Sequence, residues 1–456
     1  MAVLQPRARV LRRRCAPRTF PCPRCGRPGR RKDTHTRQVR DLAYREVLLI
    51  ELTVGEYRAR CGCCKTFRSQ VEGIEPRAEY TNRARAAVLD RVLDDGMSME
   101  RLRRALARDF HLDLSDGFLY DCLDWKVRQL DLPGYRQWTL AQFSGTLCLD
   151  EIHLGRKTLL LATDPLSDFP VAFALVRAND QDHMRRFLQN LKAWGFSPRV
   201  VVTDGSNLYP AVLAALWPQA RHQLCVFHVL KDLNDCVFDA FRRLRRRLGR
   251  AGGRPRRRGR PSQARRRARA RRGADRRGRA HFLWKHRRLI ARRPDELSDR
   301  ERQDLLQMLA YLPALGALRR FVVGVHQLFE PGQSPHRARC RRAALARVPE
   351  YQADADLARA LAMLSPEKFD KMIAYLHSPA GRRVRTNNHV ERVNRRLRYF
   401  EKVRYKWRRR RTIVRFVALA LDRWRQRWQA SHKAKADSRT THRQSNRSRH
   451  RRKRAA

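Results

Sequence analysis

Two short apolar runs, each ending in an isolated acid, constrain this chain more than any other feature. Gly145-Thr-Leu-Cys-Leu-Asp150-Glu-Ile-His-Leu-Gly155 carries Asp150, and Arg199-Val-Val-Val-Thr203 leads into Asp204. The second run is β-branched, and both runs are too short and too apolar for surface helices, so they read as strands. A third acid, Glu391, follows far downstream in Thr386-Asn-Asn-His-Val-Glu391-Arg-Val-Asn-Arg-Arg396, a helical pattern. Two aspartates on neighbouring strands and a glutamate on a helix form the ligand set that a pair of divalent cations, Mg²⁺ or Mn²⁺, needs for in-line phosphoryl transfer.

The elements around these acids predict a fold. After the Asp150 strand, Lys157–Ala162 and Phe169–Val176 flank a turn at Asp164–Asp168, which gives an antiparallel meander. A helix over Asp180–Trp194, the Asp204 strand, a helix over Ser206–Trp217 and a short strand at Arg221–Leu224 complete the order βββαβαβ. That order is the ribonuclease-H-like one, with its first and fourth strands side by side, so Asp150 and Asp204 are expected to converge. Asp204-Gly-Ser alone also fits a plain turn before a capped helix, and Glu151 competes with Asp150. Both faces of a central strand are buried, so alternation does not choose between Asp150 and Glu151.

Upstream, Cys22-Pro-Arg-Cys25 and Cys61-Gly-Cys-Cys64 are two knuckles separated by strand-like stretches at Glu46–Ile50 and Tyr57–Arg60. Four thiolates so spaced suit one tetrahedral Zn²⁺, and residues 15–72 read as a zinc ribbon, with Cys63 an alternative ligand to Cys61 or Cys64. Residues 78–132 turn helical, with Gly96 at a joint and Ser98 and Ser115 as caps; they read as a helix-turn-helix whose recognition helix is 115–127, with a structural helical bundle the alternative, since Asp116, Asp121 and Asp124 on that helix count against deep groove contact. Eleven cysteines scattered over 456 residues argue against a disulfide scaffold and for a reducing compartment.

A formal charge of +59 far exceeds what solubility requires and predicts a polyanionic partner, here double-stranded DNA, although a GC-rich genome also favours Arg over Lys. The interval between Asp204 and Glu391 is longer than the bare fold needs. The core is therefore expected in two parts, 143–248 and 381–428, around an Arg-rich disordered arm at 249–280 and a helical insertion at 281–380. Lys402–Arg411 reads as a basic loop with Tyr405 and Trp407 interleaved, and 429–456 as a basic disordered tail. No run approaches a membrane span and no secretory signal is evident, so a cytoplasmic, nucleoid-associated protein without membrane contact is expected.

Taken together, Leu147-Cys-Leu-Asp-Glu-Ile152, Val201-Val-Thr-Asp-Gly205, Cys225-Val-Phe-His228 and Thr386-Asn-Asn-His-Val-Glu391 resemble the DDE transposases of bacterial insertion sequences, and more distantly the Mutator-like elements. The resemblance spans most of residues 20–428 and favours those of the ISL type, with an N-terminal zinc ribbon and a helical insertion. It implies a multidomain α/β protein with a ribonuclease-H-like catalytic core, in which Asp150, Asp204 and Glu391 ligate the catalytic metal and Cys225 and His228 lie close to them. It further implies cleavage and strand transfer of transposon ends into target DNA by a homodimer or higher oligomer. Another nuclease or resolvase on the same fold, and a non-catalytic zinc-dependent DNA-binding descendant, are the alternative readings.

Overall fold

The computed structural model describes residues 8–62, 64–250, 262–403 and 409–454. In chain order the first elements are β1 (Ala8–Cys15), β2 (Thr19–Pro21), β3 (Pro28–Asp41), β4 (Val47–Arg58) and β5 (Thr66–Arg68), then α1 (Asn82–Leu93), α2 (Met99–Phe110), α3 (Asp116–Val127) and α4 (Leu132–Ala141). A second strand group follows: β6 (Thr146–Leu154), β7 (Lys157–Asp164), β8 (Phe169–Val176), α5 (Gln181–Ala193), β9 (Val200–Thr203), α6 (Pro210–Leu216) and β10 (Arg221–Leu224). The remainder is helical: α7 (Val226–Arg250), α8 (Gln263–His286), α9 (Asp299–Tyr311), α10 (Leu315–Leu328), α11 (Pro335–Ala346), α12 (Pro349–Ala353), α13 (Ala355–Met363), α14 (Pro366–Met372), α15 (Asn388–Val403) and α16 (Arg410–Arg454). Among the described residues, no helix is long and apolar enough to cross a membrane.

The chain forms two compact units, one holding residues up to 138, 153–158 and those from 393 on, the other 139–152 and 159–392. In the first, the sheet runs β1-β4-β3-β2 with β5 also on β4. Alternation along β4 buries Leu48, Ile50, Leu52 and Val54 on one face, against Val39 and Ile74. Three differences from the sequence reading stand out. The sheet begins at Ala8 rather than 15, because β1 pairs in parallel along β4. One continuous β4 replaces the two expected short strands, and its main partner β3 is a charged, largely exposed strand that carries no apolar signature.

Helices α2 and α3 start at the expected caps Ser98 and Ser115, while the cap of α1, Thr81, and helix α4 were not foreseen. Thr81, Ser98 and Ser115 each accept a hydrogen bond from the backbone N–H three residues on, satisfying one of the donors that a helix start leaves free. Helix α16 packs on α3 and α1, with Arg411 3.3 Å from Asp124, Arg415 paired to the same carboxylate and Arg423 paired to Asp90. Its helical course continues to Arg454 where a disordered tail was expected from 429, as a run rich in Arg, Lys, Ala and Gln allows. The expected aromatic loop at 402–411 falls largely on 404–408, outside the described residues.

The second unit is built on the sheet β10-β9-β6-β7-β8. A two-residue turn, Gly155-Arg156, joins β6 to β7, and only antiparallel strands can be joined so tightly. β9 pairs in parallel with both β6 and β10. The first and fourth strands of this group are therefore neighbours, as the element order predicts. Helices α7 to α14 enclose a separate core around Phe241, Phe321, Phe329, Phe369 and Tyr375, all fully buried. The expected disordered arm at 249–280 is replaced in part by α8, whose Arg and Ala are strong helix formers; 251–261 lie outside the described residues.

Within the first unit, Gly96 joins α1 to α2 at φ +65°, and an added Cβ would lie 2.6 Å from the Tyr399 ring. Gly96→Ala is expected to lower stability by about 1–3 kcal/mol. Gly273→Ala, in α8 with nothing within 4 Å of the new methyl, should instead stabilise by about 0.5–1 kcal/mol. Urea denaturation of both variants checks the pair.

Candidate active site

Strand register assembles the acids. Cys148 on β6 pairs with Val202 on β9, and Asp150 and Asp204 each lie two residues further along parallel strands. Leu224 on β10 pairs with Thr203, so Cys225 follows in step with Asp204, and its N–H donates to Thr203 O at 2.8 Å. Asp150, Asp204 and Cys225 thus form a row across three adjacent parallel strands, just past the ends of β9 and β10 and midway along β6, where its parallel pairing with β9 stops.

Glu391 reaches this row from the first turn of α15, and Asn387 is the clasp. Asn387 is fully buried; its side-chain amide donates to Leu149 O at 2.7 Å, beside Asp150, and its backbone N–H donates to Cys225 Sγ at 3.2 Å. The Glu391 N–H then donates to Asn387 O at 3.1 Å, closing the first helical turn. Asp168 braces the same turn, accepting from His389 Nε2 at 2.9 Å and pairing with Arg392. The Arg392 guanidinium is thus engaged at this brace. The sequence motif contains Asn387 and His389, but their roles depend on tertiary contacts that no local pattern reveals.

The electrostatics are those of crowded carboxylates. Burial, aided by the negative charges of Glu151, Asp204 and Glu391 and opposed by a backbone hydrogen bond, pushes the Asp150 carboxyl up to about 7. Glu391 Oε1 is buried without a hydrogen-bond partner and lies 3.8 Å from His228 Nε2. The Cys225 sulfur first, then the charges of Glu391 and Asp204, raise His228 to about 9 against the opposing effect of burial. One ligand atom each from Cys225, His228 and Glu391 lie within 4.8 Å of one another. An orphaned carboxylate oxygen and a carboxyl raised by burial and by its acidic neighbours fit a site for hard cations.

The competing acids are committed elsewhere. Glu151 accepts from Asn179 at 3.1 Å and from the Tyr209 hydroxyl. Asp164 is fully buried and accepts four hydrogen bonds, from Ser144 N–H and Oγ–H and from the N–H groups of Leu166 and Ser167, so it shapes a turn. Asp204 also closes a turn, its Oδ1 accepting from Ser206 N–H at 2.9 Å. His222 and Cys236 stand outside the Cys225–His228–Glu391 group: His222 Nε2 bonds Thr203 Oγ1 at 2.8 Å, while Cys236 lies against Arg359 at 3.4 Å.

In the first unit, Cys22 Sγ lies 3.6 Å from Cys61 Sγ and 3.9 Å from Cys64 Sγ. Four sulfurs about 2.3 Å from a tetrahedral zinc stand about 3.8 Å apart, so these separations match the edges of such a site. Both knuckles turn on a glycine at φ +72°, Gly26 and Gly62. Cys25 is exposed and stands outside the three-cysteine group; Cys63 is outside the described residues.

The sequence model of a transposase family, of the ISL3 type of DDE enzyme, matches residues 147–411, more than half of the chain. No curated protein matches it.

Because the metal-free Asp150 carboxyl is raised, the folded protein binds a proton there that the unfolded chain releases near pH 4, so this group makes stability fall as pH rises from about 4 to about 7. A divalent cation taken up by Asp150 would have to displace that proton. Added Mg²⁺ is therefore expected to raise the melting temperature more at pH 8 than at pH 6, and calorimetry in buffers of different ionisation heat should detect proton release on binding below pH 7.

Proposed function

The chain belongs to the ISL3-type transposases of insertion sequences, and from that premise we propose how its residues carry out DNA cleavage and strand transfer. Asp150, Asp204 and Glu391 are the ligands of two Mg²⁺ or Mn²⁺ ions. The observation that carries this reading is the register: two acids in step on parallel strands, with a third brought in by Asn387. The sheet order, three antiparallel strands followed by two parallel ones, supports the reading of this unit as a ribonuclease-H-like core with α7 to α14 inserted.

Bound divalent ions supply a nucleophile activated at neutral pH and stabilisation of the leaving oxygen. The rest falls to the chain. Asp150 and Asp204 are placed by backbone register, and the Ser206 N–H holds Asp204 Oδ1 at 2.9 Å. Asn387 and Asp168 hold the first turn of α15, and with it Glu391, at the strand ends. Cys225 anchors the Asn387 N–H, and His228 places positive charge beside Glu391; both are positioning residues.

In the first unit, Cys22, Cys61 and Cys64, with Cys25 as fourth ligand, hold a structural Zn²⁺ and make residues 15–72 a zinc ribbon. The capped helices α1 to α3 are read as a helix-turn-helix. The partner is double-stranded DNA, both transposon ends and target. Joining two ends requires two active sites, which implies at least a homodimer on DNA, working on the chromosome in the cytoplasm.

Asp150→Asn, Asp204→Asn and Glu391→Gln should each cut cleavage and strand transfer on the element's own ends by several orders of magnitude while DNA binding persists or tightens. Cys225→Ser and His228→Ala should cost about 10–100-fold. Wild-type cleavage by Asp204→Asn would refute the assignment; cleavage without strand transfer by the wild type would indicate a nuclease or resolvase. Freshly purified protein should contain one tightly held Zn²⁺ per chain, measurable by metal analysis, and Cys22→Ser should lose it.

A further inference from the structure

A second charged feature lies in the first unit. A cleft of about 520 Å³ is lined by Arg18, Thr19, Gly29, Arg30, Arg31 and Arg60, together with Pro28, and by no acid. Its walls are set by the sheet. Arg30 on β3 is registered between Thr19 on β2 and Arg58 on β4, so two like charges face each other directly, which is unfavourable without a counter-ion. The segment leading into β2 is pinned: Arg31 N–H donates to Arg18 O at 2.9 Å, the Arg31 guanidinium binds Ala16 O, and the Tyr57 hydroxyl donates to Pro17 O at 2.9 Å. At the floor only glycine fits, because a Cβ on Gly29 would lie 2.6 Å from the Phe67 ring.

We propose that this cleft binds the phosphodiester groups of a DNA backbone, with Arg18, Arg30 and Arg60 as the contacting cations. Guanidinium forks match phosphate oxygens in a bidentate fashion, and three of them around an acid-free cavity leave positive potential that only an anion relieves. Phe67 stacks on Tyr57 with centroids 5.5 Å apart, and this pair packs with Cys22, Cys61 and Cys64. The cleft thus takes its shape from the cysteine cluster: Thr19 and Arg60 lead into the two knuckles, and Gly29 follows the first. Its contacts would be blind to sequence and would set the position of the ribbon on the duplex.

The assignment rests on DNA as the partner, and the experiment separates the two. Full-length protein is titrated by fluorescence anisotropy against a labelled duplex of arbitrary sequence across a salt series. The Arg18→Gln, Arg30→Gln, Arg60→Gln triple variant is compared with a control of equal charge loss, Arg300→Gln, Arg337→Gln, Arg347→Gln, whose sites are exposed residues of the helical insertion. The cleft triple should lower the slope of log affinity against log salt by about 2 to 3, one phosphate per arginine, and the control by less than about 1. Equal slopes for the two triples would overturn the cleft. If the triple loses its zinc or its fold, the single Arg18→Gln variant decides, with a slope reduction of about 1 expected and none overturning the proposal. A wild-type protein that shows no salt-dependent DNA binding would overturn the DNA reading itself.

Discussion

The crowding of acids where β9 ends beside the middle of β6 is the constraint on which the candidate site depends. Burial first, then the charges of Glu151, Asp204 and Glu391, raise the Asp150 carboxyl to about 7. Left to side-chain contacts, such groups would move apart. Here they cannot, because two of them are set by the hydrogen-bonded register of parallel strands, and strand register is a cooperative property of the whole sheet. The third is tied in by one amide, Asn387, that binds the backbone of β6 and the sulfur after β10 at once. On the proposed reading, cations bound there would relieve the charge that these acids place on one another.

The same clasp explains how Glu391 can be so distant in sequence. Val226 N–H donates to Arg385 O at 2.9 Å, so the chain that leaves the sheet at α7 returns to within one hydrogen bond of its departure point. Everything between 226 and 385 is an excursion with closed ends. The entropy of closing a loop grows only with the logarithm of its length, so a long insertion weighs little on the core once it folds by itself. The insert does so around its own aromatic cluster of Phe321, Phe329 and Phe369. The insert is also tied to the sheet edge, where buried Gln223 of β10 donates to Met372 O at 2.8 Å and accepts from Tyr375 N–H at 2.6 Å.

This division between local and distant interactions also decides what the sequence discloses. The runs ending in Asp150 and Asp204, the β10 segment Arg221–Leu224 and the caps Ser98 and Ser115 carry local signatures, apolar runs or a hydroxyl before a periodic segment, and each lies where those signatures place it. Strand β3 is almost entirely polar and is a strand because β4 offers it a partner along eleven paired positions. Helix α8 reads as low complexity, since its Arg-rich stretch shows no amphipathic period until Phe282 and Leu283. Asp168 looks like one more turn acid; only the fold reveals that it faces His389 and Arg392. Alternation left Asp150 and Glu151 undecided, and the partners of Glu151, Tyr209 and Asn179, distinguish them.

Sulfur beside a carboxylate site raises a question of selectivity. Cys225 lies with His228 and Glu391 in a group that could attract a soft ion such as zinc, whereas the proposed chemistry needs hard ions bound by oxygen. The Cys225 sulfur is already an acceptor for the buried Asn387 N–H, and losing that bond would strand a buried donor. A metal-bound thiolate keeps lone pairs for such a bond, so what favours hard ions on the proposed reading is the carboxylate oxygens of Asp150, Asp204 and Glu391. In the first unit Cys22 stands 3.6 Å from Cys61 and 3.9 Å from Cys64, separations that match the edges of a tetrahedral zinc site. On the proposed reading, each metal goes to its own unit because gathered thiols favour the soft ion, while crowded carboxylates favour the hard one.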